Sequence, residues 1–338
     1  MRKDTRLAFN AYTAAIASLN GVPSACEKFT ATPSVQQTLE TKIQESSQFL
    51  SSINMPLVSE QTGEKIGLGI GSSIASTTDT TSADRVPTDP SALDTNGYAC
   101  TQTNYDTALK YSKLDSWAKF NDFQTRLRDA IVRRQALDRI TIGFNGTSRA
   151  ATSNRTSNPL LQDVNIGWLQ KMRSNAAARV MTQIGSTDKI QIGDDRTLAQ
   201  GYKNLDALVF DMVNNLLDPW YREDTELVVV LGRDLFADKY FPLINKAQDN
   251  TQKIAADLIV SQARVGGLQA VRAPYFPANK IMVTRLDNLS IYAQEGARRR
   301  AIIDNPKRDQ IENYESSNDA YVIEDYGLAC LAENIEIV

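Results

Sequence analysis

The longest regular pattern of apolar and polar positions runs from Leu114 to Ile142. Trp117, Phe120, Phe123, Leu127, Ala130, Ile131 and Leu137 recur at mostly three- and four-residue steps, which places one apolar stripe along a helix. The opposite face is charged. Asp122 with Arg126, and Asp129 with Arg133, are i,i+4 pairs with the acid first, the better order. No Gly or Pro interrupts the run before Gly143. About 25 helical residues span roughly 38 Å, so the spacing predicts a long beam on which other elements rest. Trp117, Phe123, Leu127 and Ile131 are expected to face the body of the molecule.

Shorter patterns flank this run. Phe9, Tyr12, Ile16 and Leu19 form one face of a short amphipathic helix, ended by Gly21 and Pro23. It has no partner within its own segment, so it docks either on another chain or on its own body. Thr32-Pro33 opens a second helix, as an N-cap followed by Pro at the first helical position. Val35, Leu39, Ile43, Leu50 and Ile53 supply its stripe, and the stretch reads as an arm rather than a core.

Ile66, Leu68 and Ile70 then alternate with small or polar residues, as do Tyr105, Thr107, Leu109 and Tyr111. Period two predicts strands, taken together as a long hairpin. Between them, Ser72 to Asn96 is polar and carries Thr78, Asp84, Pro87 and Pro90. Structureless stretches of that length are often functional or protruding. A lone two-stranded ribbon is only marginally stable, so the hairpin is expected to rest on a neighbouring molecule.

Leu160 to Met181 is predicted helical, and Gly185 to Gly201 a turn or short hairpin. Leu205 to Tyr292 reads as an α/β unit. A helix through Leu205, Leu208, Val209, Met212 and Leu216 stops at Asp218-Pro219. Leu227–Leu231 is a buried-strand run. Helices are expected around Leu235–Asn245 and Ile254–Val260, and strands at Leu268–Arg272, Ile281–Thr284 and Leu289–Tyr292. Arg298 to Val338 alternates as strands. The triplet Arg298-Arg299-Arg300 is expected at a solvated corner, and Glu312, Glu315, Asp319, Glu324 and Asp325 along a charged strand edge.

Composition removes most chemistry. The net charge is −3, with no basic excess for nucleic acid. The chain has no histidine, which excludes Ser-His-Asp and Cys-His nucleophiles and His-based zinc sites. Cys26, Cys100 and Cys330 are far apart and form no CxxC pair. The glycines of GLGIGSS lack the Lys-Ser/Thr of a phosphate loop. No apolar run reaches the roughly 20 residues of a membrane span. The expectation is therefore a non-enzyme with no catalytic residue, no cofactor, no metal site and no membrane partner.

Several segments nonetheless resemble one family. QESSQFL (Gln44–Leu50), GEKIG (Gly63–Gly67), SIASTTDT (Ser73–Thr80), GFNG (Gly143–Gly146), SNPLLQDVNIGWLQK (Ser157–Lys171), ADKYFP (Ala237–Pro242), PYFPA (Pro274–Ala278), NLSIY (Asn288–Tyr292) and ENYES (Glu312–Ser316) are similar to the major capsid proteins of P-two-like tailed bacteriophages. The resemblance runs nearly end to end. It implies an α+β chain with the Hong Kong-ninety-seven-type capsid fold.

The implied layout is an N-terminal segment removed on maturation (1–29), an N-terminal arm (30–62) and an extended β-hairpin loop (63–112). A spine helix with a peripheral domain (113–204), an axial α/β domain (205–292) and return strands of the peripheral domain (293–338) follow. The family further implies cleavage near Phe29-Thr30 by a prohead protease. Ser72, Thr78, Asp84, Pro87 and Pro90 would lie on a neighbouring subunit.

The implied function is a shell of pentamers and hexamers around packaged double-stranded DNA, assembled in the host bacterial cytoplasm. Its expected partners are other copies of itself, an internal scaffolding protein, the protease and the portal. An encapsulin-like compartment and a cytoplasmic α/β enzyme with a long lid loop are the alternatives.

Overall fold

Within the stripe predicted over Leu114–Ile142, the described residues are helical over Tyr111–Trp117 and Phe123–Asn145. The computed structural model describes residues 1–65, 69–70, 75–82, 84–87, 91–92, 96–117, 123–185, 187–193, 201–237, 239 and 263–338. Phe120, Asp122 and the side chains of Trp117 and Phe123 lie outside that description.

In chain order the first elements are α1 (Lys3–Leu19), β1 (Phe29–Thr30), α2 (Pro33–Glu45), α3 (Gln48–Ser51), β2 (Leu57–Val58) and β3 (Thr62–Glu64). β4 (Gly69–Ile70), β5 (Ser91–Ala92), β6 (Gly97–Ala99), β7 (Thr101–Asn104), β8 (Thr107–Lys110), α4 (Tyr111–Trp117) and α5 (Phe123–Asn145) follow. Then come α6 (Trp168–Asn175), β9 (Val180–Met181), β10 (Ile190–Ile192), α7 (Leu205–Leu216), β11 (Val228–Leu231), β12 (Arg264–Val265), β13 (Leu268–Arg272) and β14 (Ile281–Thr284). The chain ends with β15 (Leu289–Gln294), β16 (Arg299–Asn305), β17 (Gln310–Ile323), β18 (Cys330–Ala332) and β19 (Ile335–Ile337).

Two compact units emerge. One comprises Met1–Gly63, Ala99–Gly167 and Ser290–Val322; the other Glu64–Tyr98, Trp168–Leu289 and Ile323–Val338. In the first, a seven-stranded sheet runs β1-β16-β17-β15-β2, with β7 and β8 also paired to β17. The strand predicted at Tyr105–Tyr111 is present but is not the second arm of a hairpin. β8 pairs antiparallel with β17, Ala108 opposite Glu312. Alternation marks a strand and its buried face, not its partner. The ribbon after Thr62 is instead β3 with β6 and β4 with β5. Ile66 and Leu68 lie outside the described residues.

α1 settles the choice left open for it. Ile16 and Ala17 are buried with Ala25, Phe29, Ile302 and Ile311, so it packs on its own unit. In α5, Val132, Ala136, Ile140, Ile142 and Phe144 are buried apolar residues, while Ala130 is exposed and Leu137 half-buried. The stripe is therefore rotated from the expected one. Asp129 accepts from Arg128, and Arg134–Asp138 form an i,i+4 ion pair at 2.7 Å.

α5 also runs past Gly143 to Asn145. Its end is set by backbone packing around Gly146. A Cβ there would lie 2.1 Å from the Asn165 carbonyl oxygen and 2.6 Å from that of Ile142. Gly167 likewise leaves no room beside the Gly143 carbonyl, 2.4 Å from its would-be Cβ, and its N–H donates to the Gly146 carbonyl at 3.0 Å. Gly146→Ala is expected to destabilise the first unit by about 1–3 kcal/mol, because rigid backbone must shift. A thermal melt matching wild type would show that the two segments separate freely.

The helix expected over Leu160–Met181 is confined to α6. Leu161 adopts a left-handed φ of 58°, which ends any helix before it. In the second unit, the predicted helix and strands from Leu205 to Arg272 and at Ile281–Thr284 are α7, β11, β13 and β14. Asn204 caps α7 by accepting the Ala207 N–H at 2.9 Å. The sheet order is β12-β13-β11-β14-β18-β9. Val229, Leu231, Ile281 and Val283 pack against Leu208, Val209 and Met212 of α7 in its core. The helix expected at Ile254–Val260, and the end of the one near Asn245, lie outside the described residues.

Candidate functional site: a buried charge network in the first unit

Gln135 and Arg139 sit one turn apart on α5, at the i,i+4 continuation of Leu127 and Ile131. A helix that presents its core-facing line to a sheet thus carries two polar residues inward. Both are buried, Arg139 completely. From β17, Glu315, Ser317 and Asp319 share one strand face by period two, and all three are buried. α2 contributes Glu40, one turn after Gln36, and Arg298 comes from the turn before β16.

Arg139 is bidentate to Glu40, and its Nη2 also reaches Asp319 Oδ1 at 3.1 Å. Arg298 donates from Nη1 to Glu40 at 2.6 Å, from Nε to Glu315 at 3.0 Å and from Nη2 to the Gln135 carbonyl at 2.9 Å. Gln135 returns a donor to Glu315 at 3.1 Å. Ser317 and Tyr105 donate to Asp319 Oδ2 at 2.9 and 3.2 Å. Gln36 extends the connection. Its amide donates to the Gln294 carbonyl and accepts the Gly296 N–H, both at 2.9 Å.

Burial alone would raise the Glu40 carboxyl, but the charges of Arg139 and Arg298 outweigh it and hold Glu40 below its ordinary value. Glu315 is lowered in the same way, burial being outweighed chiefly by Arg298. For Asp319 burial wins over Arg139, and the carboxyl is raised. Two guanidiniums face three carboxyls, so the network is neutral when Asp319 holds a proton. Asp319→Asn is therefore expected to lower the thermal midpoint less than Glu315→Gln, because burial opposes ionisation at Asp319 while Arg298 favours it at Glu315. The reverse ranking would show that the Arg139–Asp319 pair contributes more than the Arg298–Glu315 pair.

This arrangement joins elements rather than performing chemistry. Its carboxylates are saturated by guanidiniums, and among the described residues no cluster of metal-ligating side chains occurs. Cys330 is buried and its thiol is pushed up to about 12, which leaves it unreactive at neutral pH. Among the described residues no helix is long and apolar enough to cross a membrane.

The network corrects two expectations. Arg298 is not at a solvated corner but 2% exposed, whereas Arg299 is exposed and Arg300 half-buried. Glu315 and Asp319 do not edge a strand but are buried beneath α5. The signal that marked them was a polar pair, Gln135 and Arg139, continuing the inward line of Leu127 and Ile131.

The residues singled out from the sequence lie elsewhere. Phe29 and Thr30 form β1, paired antiparallel with Arg300 and Arg299, and Phe29 is buried. Leu127 and Ile131 are half-buried and line a cavity. Thr78, Asp84 and Pro87 are exposed, while Ser72 and Pro90 lie outside the described residues.

The family described as phage major capsid protein, P2 family, matches residues 8–335. The chain belongs to this family. The capsid protein of Escherichia phage P2 is 53% identical over 342 residues, covering 100% of this chain and 96% of the relative. The major capsid protein of Serratia phage KSP20 is 41% identical, covering 99% and 97%. A chain in the solved procapsid of satellite phage P4, which includes the size determination protein Sid, is 50% identical. It covers 100% of this chain and 99% of its own length at a TM-score of 0.83. The protein is thus a structural shell subunit of a P2-like phage with the Hong Kong-ninety-seven-type α+β fold, as the resemblance implied. Within it, the buried network ties α2 to α5 and to β17.

Proposed function

We propose that this capsid protein assembles as pentamers and hexamers into an icosahedral shell around double-stranded DNA, in the host cytoplasm, with an internal scaffolding protein, a prohead protease and a portal as transient or unique partners. It performs no catalysis. The observation that carries this reading is the end-to-end likeness to a procapsid subunit. The ribbon made by β3–β6 and β4–β5 supports it. Among the described residues each ladder has two strands, and Thr78, Asp84, Val86 and Pro87 stand out in solvent, Val86 at 83% exposure. Such a ribbon is marginal alone and is stabilised by a second copy. In this reading residues 30–62 are the arm, 63–112 the extended loop, 113–204 the spine and peripheral domain, 205–292 the axial domain and 293–338 the return strands. Electron micrographs of protein co-expressed with a scaffolding protein should show closed shells, and extracted virions should hold DNA. Monodisperse monomer under both conditions would defeat the proposal, and shells without DNA would favour an encapsulin-like compartment.

Maturation is proposed to remove residues 1–29. The Phe29–Thr30 bond lies in β1, with the Ala31 N–H donating to Arg298 at 2.9 Å and the Ile302 N–H to Ala25 at 3.0 Å. A protease needs an extended, unpaired segment, so β1 must first leave β16. β1 is only two residues long and sits at the sheet edge, which makes that step inexpensive. Intact-mass spectrometry of mature virions should find a chain beginning near Thr30. Met1 retained in mature particles would end the idea.

A further inference from the structure

The second unit carries two unlike patches at opposite ends of one strand. The first is an open groove beside α7, lined by Tyr202, Asp206, Phe210, Asp211 and the Gly266-Gly267 turn. Phe210 is 66% exposed, a large apolar side chain left in water. Asp206 is already held by Lys239 and by the Gly266 N–H at 2.6 Å. Among the described residues no cation pairs with Asp211, which accepts from the Tyr202 hydroxyl and, at 2.6 Å, from the Asn215 amide. The second patch follows β13. Arg272 is exposed, and among the described residues no carboxylate lies within ion-pair distance of it. Three residues on, Tyr275 is 42% exposed and adopts a left-handed φ of 59°. Bulky residues rarely take that backbone, and it is kept where the surroundings or a function require it. The two patches cannot meet within one subunit. The groove sits where β13 begins, because Asp206 accepts the Gly266 N–H, and Arg272 is where β13 ends. The five strand residues separate those ends by roughly 17 Å, at about 3.3 Å each.

We infer that the Arg272–Tyr275 knob of one subunit seats in the α7 groove of a second copy, with Arg272 on Asp211 and Tyr275 against Phe210. This contact rests on the shell reading above and adds the surfaces that join its subunits. Unlike patches that complement each other join copies head to tail, and such a contact closes into a ring when its rotation allows. The charge pair sets register, and the aromatic pair supplies the desolvated centre that interfaces are built around. Each subunit gives one knob and one groove, so the same pair serves every member of a pentamer or a hexamer.

Charge exchange tests the contact in full-length protein co-expressed with a scaffolding protein. Asp211→Arg and Arg272→Asp each bring like charges together and should cut shell yield by sedimentation about tenfold or more. Their thermal melts should stay near wild type, since both side chains lie at the surface of the free subunit. The double variant, Asp211→Arg with Arg272→Asp, should recover shells. Single variants that assemble like wild type, or a folded double variant as poor as the singles, overturn the contact. A cysteine pair reports it directly. In a Cys26→Ser background, Phe210→Cys and Tyr275→Cys in one chain should oxidise in shells to covalent ladders ending at five and six subunits. Shells that give no ladder overturn the contact and leave the shell reading standing. Dimers from Phe210→Cys alone show like patches meeting and overturn it as well. Wild-type protein that forms no shells defeats the shell reading and the contact with it.

Discussion

Glu40→Ala is expected to lower subunit stability by about 3–5 kcal/mol and to abolish shells. Glu40 is 4% exposed and accepts from both Arg139 and Arg298. Removing it leaves two buried guanidiniums without their shared anion, and breaking a buried pair from one side costs that much. The loss is large against the roughly 5–15 kcal/mol that separates folded from unfolded states in a typical domain.

A double replacement separates charge from packing. Glu40→Leu combined with Arg139→Met removes charge from both sides and should recover part of the stability, since apolar substitutes for buried ion pairs are often neutral or better. Denaturant titration of the two proteins checks this. Equal stability of Glu40→Ala and wild type would show that α2 is not anchored through Glu40. The pH dependence follows from the directions. Glu40 and Glu315 are lowered in the folded state, so their contribution is present above the ordinary glutamate value of 4.5 and is lost as pH falls below it. Asp319 is raised, so its protonation favours the folded state as pH falls and partly opposes that loss.

Replacing Thr78–Pro90 by a short Gly-Ser turn should leave secondary structure by circular dichroism intact and abolish or destabilise particles by sedimentation. The described residues of this stretch are exposed, and their recorded hydrogen bonds are local, such as Asp79 accepting the Thr81 N–H at 3.0 Å. Deletion therefore removes little from the subunit itself. In a shell the same residues are proposed to lie on an adjacent copy, and the contact recurs around every ring. A loss of about 1.4 kcal/mol per contact is tenfold in each association constant, and it multiplies across the particle. Particles of unchanged stability would refute the loop assignment while leaving the family membership untouched.

Much of this molecule was legible locally. The helix read through Leu205, Leu208, Val209, Met212 and Leu216 is α7, which ends at Leu216 just before Asp218-Pro219, and β11 reads as an uninterrupted Val-Val-Val-Leu run. These features depend on residues within a few positions of one another, which is the range over which helix and strand periodicity acts. The family itself was also legible, because its segments recur along nearly the whole chain. The absence of histidine had already excluded the commonest acid–base chemistry.

Partners were another matter. Alternation identified the strand at Thr107–Lys110, yet only the folded chain placed it beside β17, some two hundred residues later. The same distance hid the buried network. Glu40 meets Arg139 across 99 positions and Arg298 across 258. Read one at a time, each of these charges has the composition of a solvated surface, and Arg298 stands in a basic triplet that invites that reading. A charge is kept in a core only by partners brought from elsewhere, because desolvation without them costs several kcal/mol. Periodicity therefore determined which segments become helices and strands. Long-range pairing decided which charges are inside, since that choice depends on neighbours no local pattern contains.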